Sequence, residues 1–237
     1  MSLVVLCPTR GRPDALREAA HSLIKTRSYG STRLLAIVDH DDPEADNYVK
    51  RADSLYDFVF PLHTGGMVSA LNAGTVQVLQ EHPEIKILGF IGDDHRFRTD
   101  HWDEAITAAL EQPGYAYGYD GFWHDGQIPT QIFISRRIVE ALGYMALPDC
   151  YHLYVDNAWR AVGEAIGRFT WLQDVLIEHM HPAIGKAEWD EGHKRVNSEE
   201  MYNRDRVAFE AWRASPRFTV DVRRVRRALG SSTIATR

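Results

Sequence analysis

Three short polar clusters carry most of the chemistry in this sequence. They are Pro8-Thr9-Arg10-Gly11-Arg12-Pro13, Asp39-His40-Asp41-Asp42 and Gly92-Asp93-Asp94-His95. Carboxylates are hard oxygen ligands suited to Mg²⁺ or Mn²⁺, and an imidazole beside them shifts the balance toward Mn²⁺. In an extended backbone Asp93 and His95 face one way and Asp94 the other. A solvated acidic turn is the plain alternative for this cluster. A second pair, His179 and His181, stands two positions apart behind Val175 and Ile177, so all four share one face of an extended segment. One histidine capping the strand and one on the surface is the plain alternative there. Paired with an acidic cluster, the histidines read as candidate metal ligands.

Each polar cluster follows an apolar run: Leu3 to Cys7, Leu34 to Val38 and Ile85 to Ile91. Continuous apolar runs suit parallel strands covered on both faces. Ligands of open α/β sheets bind beyond the carboxyl ends of such strands, so the three clusters are expected along one edge. Between them the periodicity predicts helices: one opened by Pro13 with Leu16, Ala19, Ala20, Leu23 and Ile24 on one side, one with Val68, Leu71, Thr75, Val78 and Leu79, and one around Trp102 to Leu110. Phe58 to Phe60 reads as a further short strand. The first half is therefore read as a mainly parallel sheet with helices on its faces.

The second half is less regular. Tyr115 to Tyr119, Gln131 to Ile134 and Val175 to Ile177 read as strands. Ser135 reads as the cap of a helix stopped by Gly143, and Val155 to Ile166 as a helix closed by Gly167. Asn197 with Glu200 suggests a capping box for a helix through Trp212. Residues 1–215 are taken as one domain, with a nucleotide-binding half (1–112) and an acceptor half (113–215). Residues 216–237 are taken as a basic C-terminal tail.

In this order, the LVVLCPTRGRP stretch, Asp39, Asn72-Ala73-Gly74 and Gly92-Asp93-Asp94-His95 resemble the GT-A fold nucleotide-sugar glycosyltransferases of the family 2 type. The resemblance covers about the first two-thirds of the chain. It implies a Rossmann-like α/β fold and a metal-dependent transferase that moves a sugar from a UDP- or GDP-linked donor to a hydroxyl acceptor. It further implies nucleotide contacts from Pro8, Thr9, Arg10, Arg12, Asp39 and Asp93. Asn72, an amide in an otherwise apolar helical stripe, reads either as a donor contact or as a cap or helix-to-loop hydrogen bond. Mn²⁺ or Mg²⁺ would be held by Asp94, His95 and a later histidine, His179 or His181. Lys186, Lys194 and Arg195 become candidates for the leaving diphosphate. The family pattern has an aspartate where this chain has His95. For an inverting member the resemblance makes Asp156 the general base, with Asp149 as runner-up. Trp123 is a candidate stacking surface for the acceptor.

The chain has 237 residues, 44% hydrophobic and 25% charged, with a formal net charge of -6. That balance argues against a surface wholly devoted to nucleic acid. Arg217, Arg223, Arg224, Arg226 and Arg227 form a basic run, read as a solvated helix face or as a contact to modified DNA; a glycan is the other acceptor class considered. Cys7 and Cys150 form no disulfide framework, no secretory leader is evident, and no apolar stretch reaches transmembrane length. A cytoplasmic setting is expected. Competing readings are a nucleotide-sugar-forming nucleotidyltransferase, disfavoured by the single glycine of the first loop, a non-catalytic binding module, and a metallohydrolase.

Overall fold

The computed structural model describes residues 2–51, 55–59, 65–123 and 126–230, without the side chains of Arg51, Phe58 and Val59. The expected strand end at Phe60 and the small polar residues after 230 lie outside these.

The first half follows the strand and helix pattern of the sequence. Strand β1 (Ser2–Thr9) is flanked by parallel β2 (Arg33–Val38) and β4 (Ile85–Phe90), and β3 (Asp57–Val59) adds to β2. Helices α1 (Pro13–Thr26), α2 (Ala45–Arg51) and α3 (Met67–Glu81) make the crossovers. Pro13 opens α1, where a missing N–H costs nothing. Alternate residues of β1 enter two different cores. Val4 and Leu6 join the cluster with Ile37, Leu71 and Trp159; Leu3, Val5 and Cys7 join the one with Leu16, Leu23 and Trp102. Burial on both faces explains the unbroken apolar run.

The second half closes the sheet with mixed directions. Strand β5 (His95–Phe97) leads to α4 (Trp102–Ala109), then β6 (Tyr115–Tyr119), β7 (Ile132–Ser135), α5 (Arg136–Leu142), α6 (Val155–Ile166) and β8 (Phe169–His179). The spatial order is β3-β2-β1-β4-β7-β6-β8-β5, with β7 antiparallel to β4 and β6, β8 parallel to β6, and β5 antiparallel to β8. The whole is a mainly parallel α/β sheet between helical layers.

Three local features differ from the sequence expectation. Strand β8 is far longer than Val175 to Ile177, because it is bulged: Gly118 pairs with Leu172 but Tyr119 pairs with Leu176. Gly118 permits this, since a Cβ there would stand 2.4 Å from the carbonyl oxygen of Val175. Ser135 precedes α5 but does not cap it; its hydroxyl accepts from the Gly114 N–H at 3.0 Å. The cap of α8 (Glu199–Ala214) is Ser198, whose hydroxyl accepts from Met201 N–H, while Asn197 ends the preceding helix α7 (Glu191–Val196) and donates to His193 O.

The arginine-rich segment, read as a tail, folds from Pro216 to Ala228 into helix α9. Its arginines are spaced so that Phe218, Val222 and Val225 fall on one buried face, against α5, α6 and α8. Arg217, Arg223, Arg224, Arg226 and Arg227 keep to the exposed side. Arg217 pairs with Asp149 at 2.7 Å. Both cysteines are buried and free. Among the described residues no helix is long and apolar enough to cross a membrane.

Candidate functional site: a cavity at the carboxyl edge of the sheet

The loops after β1, β2 and β4 converge on one cavity of about 870 Å³. This is within the size range of small-molecule sites. Pro8, Thr9, Arg10, Arg12, Asp39, Asp93, Asp94, His95, Asp156, His179 and His181 all line it, as does Trp123. Asn72 does not. Its amide oxygen accepts the N–H groups of Met145 and Ala146, and its amide N–H donates to Ala146 O, all within 2.8–2.9 Å. Its polar capacity is spent holding the loop after α5, a structural role that a lone amide in an apolar helical stripe could have signalled. Lys186 is also absent from the lining, and its ammonium pairs with Glu178 at 2.7 Å. Asp149 is held by Arg217, away from the cavity.

The strand-end loops are tied together by charge. Arg10 donates to Asp39 at 2.9 Å and to Asp41 at 2.6 Å. Asp42 accepts the Gly11 N–H at 2.8 Å. Buried Tyr48 on α2 accepts the Arg12 N–H at 2.8 Å and lies 3.2 Å from Thr9 Oγ1. Thr9 Oγ1 in turn donates to Asp93 at 2.7 Å, and Arg12 Nη1 lies 3.3 Å from the other Asp93 oxygen.

Asp93 and Asp94 therefore part company, though not as an extended strand would part them. Residues 93 and 94 form a turn closed by His95 N–H to Gly92 O at 3.1 Å. The turn puts His95 with Asp94, its Nδ1 lying 3.2 Å from Asp94 Oδ1, and leaves Asp93 to Thr9 and Arg12. Burial, then the Asp94 charge, pushes the Asp93 carboxyl up to about 6 against the pull of Arg12 and Thr9. Asp94 goes the other way. Burial opposes its ionisation, but the neighbouring imidazoles of His179, His193 and His95 outweigh it and hold the carboxyl well below the usual range.

Antiparallel pairing of β5 with β8 sets His95 directly opposite His179, and their rings stack at 4.4 Å. Asp94 Oδ2 lies 3.2 Å from His179 Nε2. Asp94, His95 and His179 bring one ligand atom each to within 4.8 Å of one another. One carboxylate oxygen and two imidazole nitrogens suit a borderline divalent cation, so the residues fit such an ion. His181 lies next to this group, 5.0 Å from the His179 ring, but its Nδ1 accepts the Ala183 N–H and caps a 3₁₀ turn at Pro182–Ile184. Burial, then the His179 charge, depresses its pKa to about 4.

Residues Tyr151 to Tyr154, also in the lining, lead into α6 and Asp156. Tyr154 caps α6 at φ +62°, a left-handed conformation unusual for a tyrosine. Burial raises the Asp156 carboxyl above its ordinary value. The sequence did not reveal the device that fixes this stretch. Buried Asp205 of α8 accepts the N–H groups of Tyr151, His152 and Leu153 at 2.7–2.9 Å. A second missed residue is His193 of α7, which lies in the lining with its Nε2 3.8 Å from Asp94 Oδ2. The Asp190-x-x-His193 spacing, an acid capping a helix with a histidine one turn in, was its only sequence signal.

No protein-family model and no curated protein matches this sequence. Solved structures match its fold. A glucosyl-3-phosphoglycerate synthase from Mycobacterium tuberculosis, solved with Mn²⁺, UDP and phosphoglyceric acid, superposes with a TM-score of 0.61 at 10% identity, over 91% of this chain and 79% of that one. The mannosyltransferase PcManGT of Pyrobaculum calidifontis, solved with GDP-Man and Mn²⁺, gives 0.57 at 13%, over 99% and 76%. S. aureus TarS residues 1–349 with UDP gives 0.59 at 16%, over 86% and 71%. Against a longer TarS chain, this one spans 43% of the length. The likeness establishes the architecture: this is a GT-A fold.

Proposed function

We propose that this chain is a divalent-metal-dependent glycosyltransferase that moves a hexosyl group from a UDP- or GDP-linked donor to a hydroxyl acceptor with inversion. One observation carries the reading: the strand-end loops, the Asp94–His95–His179 donor group and Asp156 all line a single cavity. The GT-A neighbours, whose structures hold UDP or GDP-Man with Mn²⁺, support the choice of donor and cation.

Arg10 and Asp39 lie where the first two strands end, and are assigned to the nucleoside. Asp93, fixed by Thr9 and Arg12, is assigned to the nucleotide as well. Asp94, His95 and His179 are assigned to Mn²⁺ or Mg²⁺, which when bound supplies positive charge to the leaving diphosphate. Arg12 and Arg195 line the same cavity and add cationic charge there. Asp156 is assigned as general base: it accepts the acceptor hydroxyl proton as the oxygen attacks the anomeric carbon and the bond to the diphosphate breaks. Its pKa, raised by burial, makes it a stronger proton acceptor than an exposed aspartate. Partly exposed Phe122 and Trp123, with rings 5.0 Å apart, are assigned to the acceptor face. We assign the activity to the cytoplasm.

Calorimetric titration of UDP and GDP, each with and without Mn²⁺, tests the donor site. Metal-dependent binding of one of them, lost in Asp94→Ala, is the expected result. No binding of either under any metal condition overturns the transferase reading. The exposed arginines of α9 support modified duplex DNA as acceptor. A salt-sensitive mobility shift with duplex DNA is then expected, and its absence leaves a glycan.

A further inference from the structure

We propose that the His152 imidazole reads a hydroxyl of the transferred sugar and so helps to set which donor this chain accepts. This rests on the transferase reading above and names a residue to which that reading gives no role.

His152 lines the cavity and is partly buried. Its backbone is fixed: the N–H donates to buried Asp205 at 2.8 Å, between like bonds from Tyr151 and Leu153. Its ring is uncommitted. Among the described residues the imidazole has no hydrogen-bond partner, and neither ring nitrogen is fully enclosed. Its neighbours in the lining differ. His95 accepts the Gly92 N–H, His179 meets Asp94, His181 accepts the Ala183 N–H and His193 meets Arg12, so each commits a nitrogen to the protein. A polar ring in a cavity wall with both nitrogens unused and reachable is a group for a ligand to satisfy.

Position narrows the ligand. Besides Asp205, the charges that act on the ring are Asp94, Arg195 and Arg12, all on the side assigned to the cation and diphosphate. Four residues further along the chain, Asp156 stands in the first turn of α6 as the assigned base. The anomeric carbon has to lie between the leaving diphosphate and the attacking hydroxyl, which puts the hexosyl ring between these groups. The chemistry agrees. Burial, together with Arg195 and Arg12, favours the neutral imidazole against the pull of Asp205 and Asp94. A neutral imidazole offers one N–H donor and one lone pair. A sugar hydroxyl both donates and accepts, so either nitrogen serves it. A diphosphate oxygen only accepts, and would favour a protonated ring. An epimer that turns this hydroxyl away leaves the nitrogen unpaired and is disfavoured.

The test is calorimetry on the full chain with Mn²⁺ and no acceptor, using UDP, UDP-glucose, UDP-galactose, UDP-N-acetylglucosamine, GDP and GDP-mannose. His152→Leu removes both ring nitrogens and keeps the backbone N–H that Asp205 holds. It is expected to weaken the tightest-binding nucleotide sugar about fivefold or more, and its parent nucleoside diphosphate less than about twofold. His152→Asn keeps a donor and an acceptor and is expected to recover part of the loss. A loss shared equally by nucleotide sugar and parent diphosphate places the ring on the diphosphate and overturns the proposal, as does no loss in a folded variant. If both variants melt early, ¹⁵N imidazole spectra of the unaltered protein decide. The nucleotide sugar must then move the His152 ring resonances further than its parent diphosphate does, and equal shifts overturn the proposal. A chain that binds none of the six compounds loses the transferase reading and this inference together. One that binds them with His152 indifferent loses this inference alone.

Discussion

Thr9 and Asp93 are 84 positions apart, yet the hydroxyl of one donates to the carboxylate of the other at 2.7 Å in a buried setting. The bond joins the loop after β1 to the loop after β4, which fixes Asp93 while leaving Asp94 free to face the histidines. Thr9→Val removes the donor and keeps the shape. Charge-assisted bonds of this kind contribute about 1.5–3 kcal/mol, so the variant is expected to lose stability of that order in urea unfolding. Nucleoside diphosphate affinity, measured by calorimetry, is expected to fall with it. An unchanged unfolding midpoint contradicts this account of the loop.

Asp205 plays the same part for the Tyr151–Leu153 stretch of the lining, with three backbone N–H groups on one buried carboxylate. Asp205→Ala leaves all three without an acceptor and is expected to cost about 3–5 kcal/mol. Asp205→Asn keeps one carbonyl oxygen and is expected to cost less. Thermal or urea unfolding of the two variants gives the order, and equal losses would refute the account of Asp205 as an acceptor.

Asp156→Asn keeps the size of the side chain and removes the base. Sugar transfer is expected to fall by roughly 10²- to 10⁴-fold with nucleotide affinity intact. In the unaltered chain kcat is expected to rise with pH through an inflection above the ordinary aspartate value, since burial raises this carboxyl. A loss of nucleotide binding equal to the loss of rate would instead place Asp156 on the donor.

Burial depresses the His152 pKa to about 4, with Asp205 and Asp94 pulling the other way. Its neutral form is thus favoured in the folded chain. The unfolded chain binds the extra proton between about 4 and 6.5, so stability is full above 6.5 and declines as pH falls through that window. A loss on the order of 3 kcal/mol is expected across it. His152→Gln is expected to flatten this part of the stability curve, and an equally steep curve would assign the acid loss to other groups.

The strand-end loops were legible because apolar runs and polar stops report sheet position directly, as Leu3 to Cys7 followed by Thr9 to Arg12 illustrates. The parallel half of the fold and the co-location of Arg12, Asp39 and Asp94 follow from that rule, whereas Asp156 was pointed to by the family resemblance and His179 by its spacing from His181. Side-chain partners were not legible. Asn72 and Lys186 carry the right chemistry but spend it on Ala146 and Glu178, pairings that only tertiary contact decides. His193 sits on a helix of six residues, too short for periodicity to show which way it points. The turn at Asp93-Asp94 reverses the simple alternation because local hydrogen bonds to Gly92 override an extended backbone.

The bulge in β8 has a bearing on which length changes this chain tolerates. Between Leu172 and Leu176 the strand carries residues that β6 does not match, and Gln173 and Asp174 project to solvent. Everything after the bulge is in a phase set by it, including the residue opposite His95. Removing a single residue from this exposed stretch would rotate the rest of β8 by half a pleat and swing the His179 imidazole to the far face, although nothing near Asp94 had been touched. Surface positions such as Gln173 are therefore interchangeable in kind but not in number: side chains there can vary freely, while the count between Leu172 and His179 cannot.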